Sequence, residues 1–211
     1  MPTSYLLKIT LEEVHHPIWR RFVVPSNIPL NRLHDVVQSV MGWEDCHIHA
    51  FIVGKQHYLP TYAIESNPFD DGNDLPEEEY TFESLIARKG AKIKYWYDFG
   101  DSWMHEIVVE SIDYTNPDWP YPICCIEGVR ACPPEDCGST PGFVDFCEAM
   151  TDPKHPEHEE FKEWYGSKYN PDRFDLEAVN KKLGIKRSAK KATKKGKPRS
   201  TMGAPGNPDE K

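Results

Sequence analysis

The sequence is short of the features that announce most common functional classes. No apolar run approaches the roughly 20 residues that span a bilayer, and no apolar signal core follows the first residues, so neither a membrane span nor export is expected. There is no Gly-rich phosphate loop, no G-x-S-x-G and no H-E-x-x-H, which removes the usual nucleotide-binding, hydrolase and metalloprotease signatures. No internal repeat is found, which excludes solenoids and propellers. Cysteine is modest, at six in 211 residues. With no export signal and a body large enough to need no covalent staples, reduced thiols and a cytoplasmic location are expected.

What is present is an uneven charge. The net is −9, but residues 1–180 sum to −18 and residues 181–211 to +9. A body of about 180 residues is long enough to bury a real core. Aromatics make up 12% of the chain, too many for a disordered composition. The segment beyond Gly184 is dominated by Lys, Ala, Gly, Ser and Pro, a composition that cannot bury much apolar surface. The expected division is a domain over 1–184 and a disordered basic tail over 185–211.

Periodicity gives the elements. Tyr5, Leu7, Ile9 and Leu11 alternate as a half-buried strand, and 18–24 reads as its hairpin partner. Leu30, Leu33, Val36, Val37, Val40 and Met41 recur at helical spacing, with Gly42 as a left-handed stop. A strand is expected over 47–53, apolar on both faces and so centrally placed. The acidic segment 66–79 reads as an exposed loop and 82–88 as a short helix. Strands over 92–98 and 103–112 flank a tight turn in which Gly100 is expected to take the positive φ. Six prolines and four cysteines fall within 116–141, which is expected to be irregular. The last third is expected to be helical: one helix capped by Thr140 with Pro141 at its first position, a second carrying Phe161, Trp164 and Tyr165, and a third over 175–183. The fold class is α+β, a mainly antiparallel sheet with helices packed on it.

Several stretches together resemble one family, the plasmid pRiA4b ORF-3-like proteins. They are Ile18-Trp19-Arg20-Arg21 with Val24-Pro25, Leu33-His34, Met41-Gly42-Trp43 and His47-Ile48-His49-Ala50-Phe51. Tyr97-Asp98-Phe99-Gly100-Asp101-Ser102-Trp103-Met104-His105 and Ala131-Cys132-Pro133-Pro134-Glu135-Asp136-Cys137-Gly138 complete the set. The match covers roughly 4–184. Ser139 departs from the family's second glycine, and the tail lies outside the pattern. The resemblance implies an α+β fold and an association with plasmids and mobile elements, often under a resolvase-like label. That label conflicts with charge, because a recombinase body must concentrate positive charge on phosphate and this one carries −18.

Candidate chemistry lies in four places. If 47–53 is a strand, His47 and His49 share a face and could bind a divalent metal, or be packed core histidines. Asp98, Asp101 and His105 surround the tight turn. They are the parts of an acid–base or metal site, although turn chemistry explains both aspartates and alternation turns His105 inward. Cys132 and Cys137, with Glu135 and Asp136 between them, are candidate metal ligands whose spacing only approaches that of a structural zinc site. The tail residues Lys186, Arg187, Lys190, Lys191, Lys194, Lys195, Lys197 and Arg199 form a polycation able to touch nucleic acid weakly and without sequence preference, to fold back on the acidic body, or simply to solubilise. Trp119, among prolines, could offer a protein partner an aromatic patch. Together these features describe a non-enzymatic interaction module whose body binds a protein or small ligand. The competing expectation is a metal-dependent enzyme built on the His/Asp cluster near 98–105, with Glu135 and Asp136 as further candidates.

Overall fold

Alternating apolar residues build β1 (Ser4–Leu11) and pair it with β2 (Ile18–Pro25) in the computed structural model, which describes residues 3–66, 72–115, 121–166 and 168–185. Tyr5, Leu7, Ile9 and Leu11 are all buried, while the residues between them are half-exposed. The chain then enters α1 (Leu30–Met41), whose apolar stripe is buried, and leaves it through Gly42 at φ 113°, whose N–H donates to Gln38 O. That left-handed turn is one a side chain rarely tolerates.

β3 (His49–Val53), β4 (Gln56–Leu59), α2 (Thr61–Glu65), β5 (Leu75–Pro76), a 3₁₀ turn (Glu77–Glu79) and α3 (Phe82–Leu85) follow. β6 (Lys92–Tyr97) and β7 (Trp103–Ser111) form a hairpin, and β8 (Cys124–Val129) pairs with β2. The eight strands lie in the order β5-β4-β3-β6-β7-β1-β2-β8, antiparallel throughout except between β4 and β5. α4 (Ser139–Thr151), α5 (His158–Tyr165) and α6 (Leu176–Lys182) complete an α+β fold. None of the described helices is long and apolar enough to cross a membrane.

Several expectations change. β3 begins at His49, not at residue 47, so His47 belongs to the preceding loop and does not share a strand face with His49. The acidic segment is not wholly an exposed loop: its described part contains β5 and the buried Glu77. Within the proline-rich stretch, the proline-free run after Pro122 forms β8. In the β6–β7 turn it is Asp98 and Ser102 that take positive φ, at 54° and 59°. Gly100 serves a different purpose, because a Cβ there would stand 3.1 Å from Asp98 Oδ1, which accepts the Gly100 N–H. α4 starts at Ser139 after a left-handed Gly138, leaving Pro141 inside the first turn, where a missing N–H costs nothing. Residues 67–71, 116–120 (with Trp119) and the tail from Lys186 lie outside the described residues.

Two polar residues tie the core. Arg20 is buried, donating from Nε to Val40 O and from Nη1 to Trp19 O and Val129 O, each at 2.8 Å, with its guanidinium 4.3 Å over the Phe174 ring. It thereby joins β2, α1 and the end of β8. Asn180 on α6 donates to Cys125 O at 2.8 Å and accepts the Cys125 N–H at 2.9 Å. Its amide thus stands in for a further strand at the sheet edge, where unpaired backbone would otherwise invite association.

Candidate metal centre

Three loops converge at one end of the sheet. The first, residues 43–48, leads into β3 and carries His47. The second is the β6–β7 turn with Asp98 and Asp101. The third, residues 131–138, leads into α4 and carries Glu135 and Asp136. Asp98 and Asp136 both sit in the left-handed region, at φ 54° and 55°, which aspartate tolerates better than most residues.

His47 Nε2 lies 3.2 Å from Asp136 Oδ1, 3.7 Å from Asp98 Oδ2 and 3.9 Å from Glu135 Oε2. Ligand atoms of His47, Asp98 and Asp136 all fall within 4.8 Å of one another, the only such group of three or more His, Cys, Asp or Glu among the described residues. His47 Nε2 and Glu135 Oε2 are buried atoms with no hydrogen-bond partner. Glu135 is aimed by its other oxygen, for Oε1 accepts the Glu44 N–H at 2.7 Å and the Tyr97 O–H at 3.0 Å. Tyr97 Oη in turn accepts the Cys46 N–H at 3.0 Å, and burial raises its phenol well above the ordinary range, so the hydroxyl stays a donor. Asp98 is similarly fixed by the Gly100 N–H on Oδ1, which leaves Oδ2 toward His47. One imidazole among three carboxylates is a donor set for a first-row divalent ion, hard enough for manganese and nitrogen-bearing enough for zinc.

Asp101 is near but plays another part. Its Oδ2 accepts the Gly138 N–H at 3.0 Å and its carbonyl accepts the Ser139 hydroxyl at 2.8 Å, so it laces the third loop to the turn. Gly142 fits beneath, since a Cβ there would stand 1.9 Å from Cys137 O.

The remaining candidates lie elsewhere. His105 is fully buried, with Nδ1 donating to Trp103 O at 3.0 Å and its ring near Trp43 and Tyr95; burial pushes it down to about 4. His49 faces the core, stacked on His34 at 3.5 Å and 2.9 Å from Glu77 Oε2. Burial pushes His49 down to about 4 and Glu77 up to about 8, so both charged forms are disfavoured there. Cys132 and Cys137 join no ligand group among the described residues. Burial raises both thiols, that of Cys137 to about 12. All six cysteines are free thiols. The roles of Tyr97 and Glu44 in aiming Glu135 were not legible in the sequence, because a phenol and a backbone N–H acquire them only through contacts 38 and 91 residues away.

The family described as "Plasmid pRiA4b ORF-3-like protein" matches residues 3–178. A curated relative, the uncharacterized protein y4hQ of Sinorhizobium fredii (strain NBRC 101917 / NGR234), is 38% identical over 173 residues, covering 76% of this chain and 80% of its own. A solved structure, the protein of unknown function MM3350 from Methanosarcina mazei Go1, superposes with a TM-score of 0.70 at 29% identity, covering 82% of this chain and 96% of that one.

Proposed function

We propose that this chain, which belongs to the plasmid pRiA4b ORF-3-like family, binds a divalent cation through His47, Asp98 and Asp136, with Glu135 as a further donor or as the acceptor of a metal-bound water. The observation that carries the reading is the convergence of His47 Nε2 on three carboxylates at 3.2–3.9 Å, in which neither His47 Nε2 nor Glu135 Oε2, both buried atoms, makes a hydrogen bond. Buried polar atoms left unpaired are costly, and three carboxylates so close repel; a cation removes both penalties. Three protein donors leave coordination positions open, the layout of catalytic rather than purely structural sites. Glu135 also lines a cavity of about 260 Å³ with Glu44, Pro134, Tyr165, Lys168 and Arg173, room for a small ligand beside the centre. Elemental analysis and thermal melts of the purified protein test this. About one ion per chain, and a melting temperature that falls with chelator and recovers with manganese or zinc, are expected; no ion and no response to either would overturn it.

A second reading rests on the charge division, −18 over residues 1–180 against +9 over 181–211. In it the body is an interaction module for a protein or small ligand in a cytoplasmic, mobile-element setting, and the tail adds weak nucleic-acid contact. Filter binding of full-length protein against a 1–184 truncation tests the tail. Loss of a salt-sensitive affinity on truncation is expected, and equal, salt-insensitive binding by both would sink it.

A further inference from the structure

The loop that carries His47 is fastened from the core side by a closed ring of hydrogen bonds. We infer that His34, acting through Asp45, is a positioning residue for the metal centre. This rests on the metal reading above.

The ring can be followed donor by donor. Gln38 Nε2 donates to Tyr95 Oη at 2.9 Å, and Tyr95 Oη lies 2.8 Å from His34 Nδ1. His34 Nε2 lies 2.8 Å from Asp45 Oδ1, and the Asp45 backbone N–H returns to Gln38 Oε1 at 2.9 Å. Tyr95 is fully buried, and burial holds its phenol well above the ordinary value, so it keeps its proton. Its oxygen already accepts from Gln38, so that proton goes to His34 Nδ1. His34 Nε2–H is then the donor to Asp45, a tautomer assigned by the network. All four bonds run in one sense around the ring, the arrangement in which each polarises the next. His34 cannot swing away, because it is buried and its ring lies flat on His49, 3.5 Å between centroids and 6° between planes.

The ring closes on the loop two residues before His47. Asp45 takes a left-handed φ of 58°, which aspartate tolerates better than most residues. Its neighbours are held as well: the N–H groups of Glu44, Asp45 and Cys46 go in turn to Glu135, Gln38 and Tyr97, three side chains from different parts of the fold. Of these three, only the Gln38 contact is locked from the other side by a bond to the loop's own carboxylate. A ligand whose backbone is pinned this way meets the ion with little rearrangement, and outer partners of this kind commonly set metal affinity.

The test compares zinc affinity, and hydrogen exchange at the Asp45 and Cys46 amides, in the full chain and three variants. His34→Phe keeps the ring and its stack but removes both hydrogen bonds. Asp45→Gly accepts the left-handed φ and removes the carboxylate, and because the Asp45 side chain is 59% exposed this variant folds even if the first does not. Asp45→Asn keeps an acceptor for His34. We expect His34→Phe and Asp45→Gly to bind zinc roughly 10–100-fold more weakly, with faster exchange at both amides, and Asp45→Asn to stay close to wild type. A merely structural role would lower the melting temperature and leave the affinity of the folded protein alone. Wild-type affinity and exchange in Asp45→Gly would overturn the inference. A wild type that binds no zinc would overturn the metal reading and, with it, the positioning of that centre; the exchange rates would still report separately whether His34 fastens the loop.

Discussion

His47 and His49 stand two residues apart and live in different chemistries. His49 begins β3, faces the core, stacks on His34 and shares a hydrogen bond with a buried glutamate. His47 precedes the strand, is a quarter exposed and points its Nε2 at three carboxylates from two other loops. Burial disfavours the charged form of each member of the first pair, which acts as packing with a hydrogen bond inside it. The second gathers formal charge that its own hydrogen bonds do not satisfy. The contrast shows that residue type is a poor guide to role, and that the start of a strand, displaced by two residues, separates a core contact from a loop side chain facing carboxylates.

The largest expected effect is at His47. His47→Ala should cost zinc affinity more than the roughly 10–100-fold of an outer partner, while moving the metal-free melting temperature by no more than about 3 °C, near 1 kcal/mol in a chain of this size. His49→Ala should do the reverse. It removes a buried ring and strands Glu77, and should lower stability by about 2–4 kcal/mol, read as a melting temperature roughly 5–15 °C lower, with metal binding still measurable. If both variants lose metal and neither loses stability, the two histidines are not separate systems.

Acidity separates the two more finely. Glu77 is held protonated in the fold up to about 8, above its unfolded value, so its stabilising contribution is complete at low pH and is lost as pH rises through about 8. His49 and His105 are pushed down to about 4, so theirs is present above the unfolded histidine value and lost as pH falls toward 4. Between about pH 6.5 and 8 the contribution of the glutamate should make stability decline with rising pH. Denaturant melts across that window should show the slope in wild type and its absence in Glu77→Gln.

The smallest effect concerns Asp101. Asp101→Ala removes the acceptor for the Gly138 N–H and loosens the loop that bears Asp136, so a several-fold loss of zinc affinity is expected by titration, with Asp101→Asn near wild type. A loss as large as that of His47→Ala would make Asp101 a ligand instead.

Much of the scaffold was legible. β1, β2, α1, β6 and β7 follow from apolar spacing, because each buries one face on one core. β8 was hidden by its surroundings: prolines at 117, 120, 122, 133 and 134 dominate the composition, while the run between them pairs with β2. At the site, the residue types were visible but their grouping was not. Asp98 and His105 look adjacent around a turn, yet the pleat sends one to the loops and the other into the core. His47, Asp98 and Asp136 come together only through contacts tens of residues apart, and periodicity carries no information at that range.

One titration bears most directly on the metal centre: zinc added calorimetrically to chelator-stripped full-length protein, beside His47→Ala. One ion per chain for wild type and no resolvable binding for the variant is the expected result. No binding by wild type, or equal binding by the variant, would contradict it.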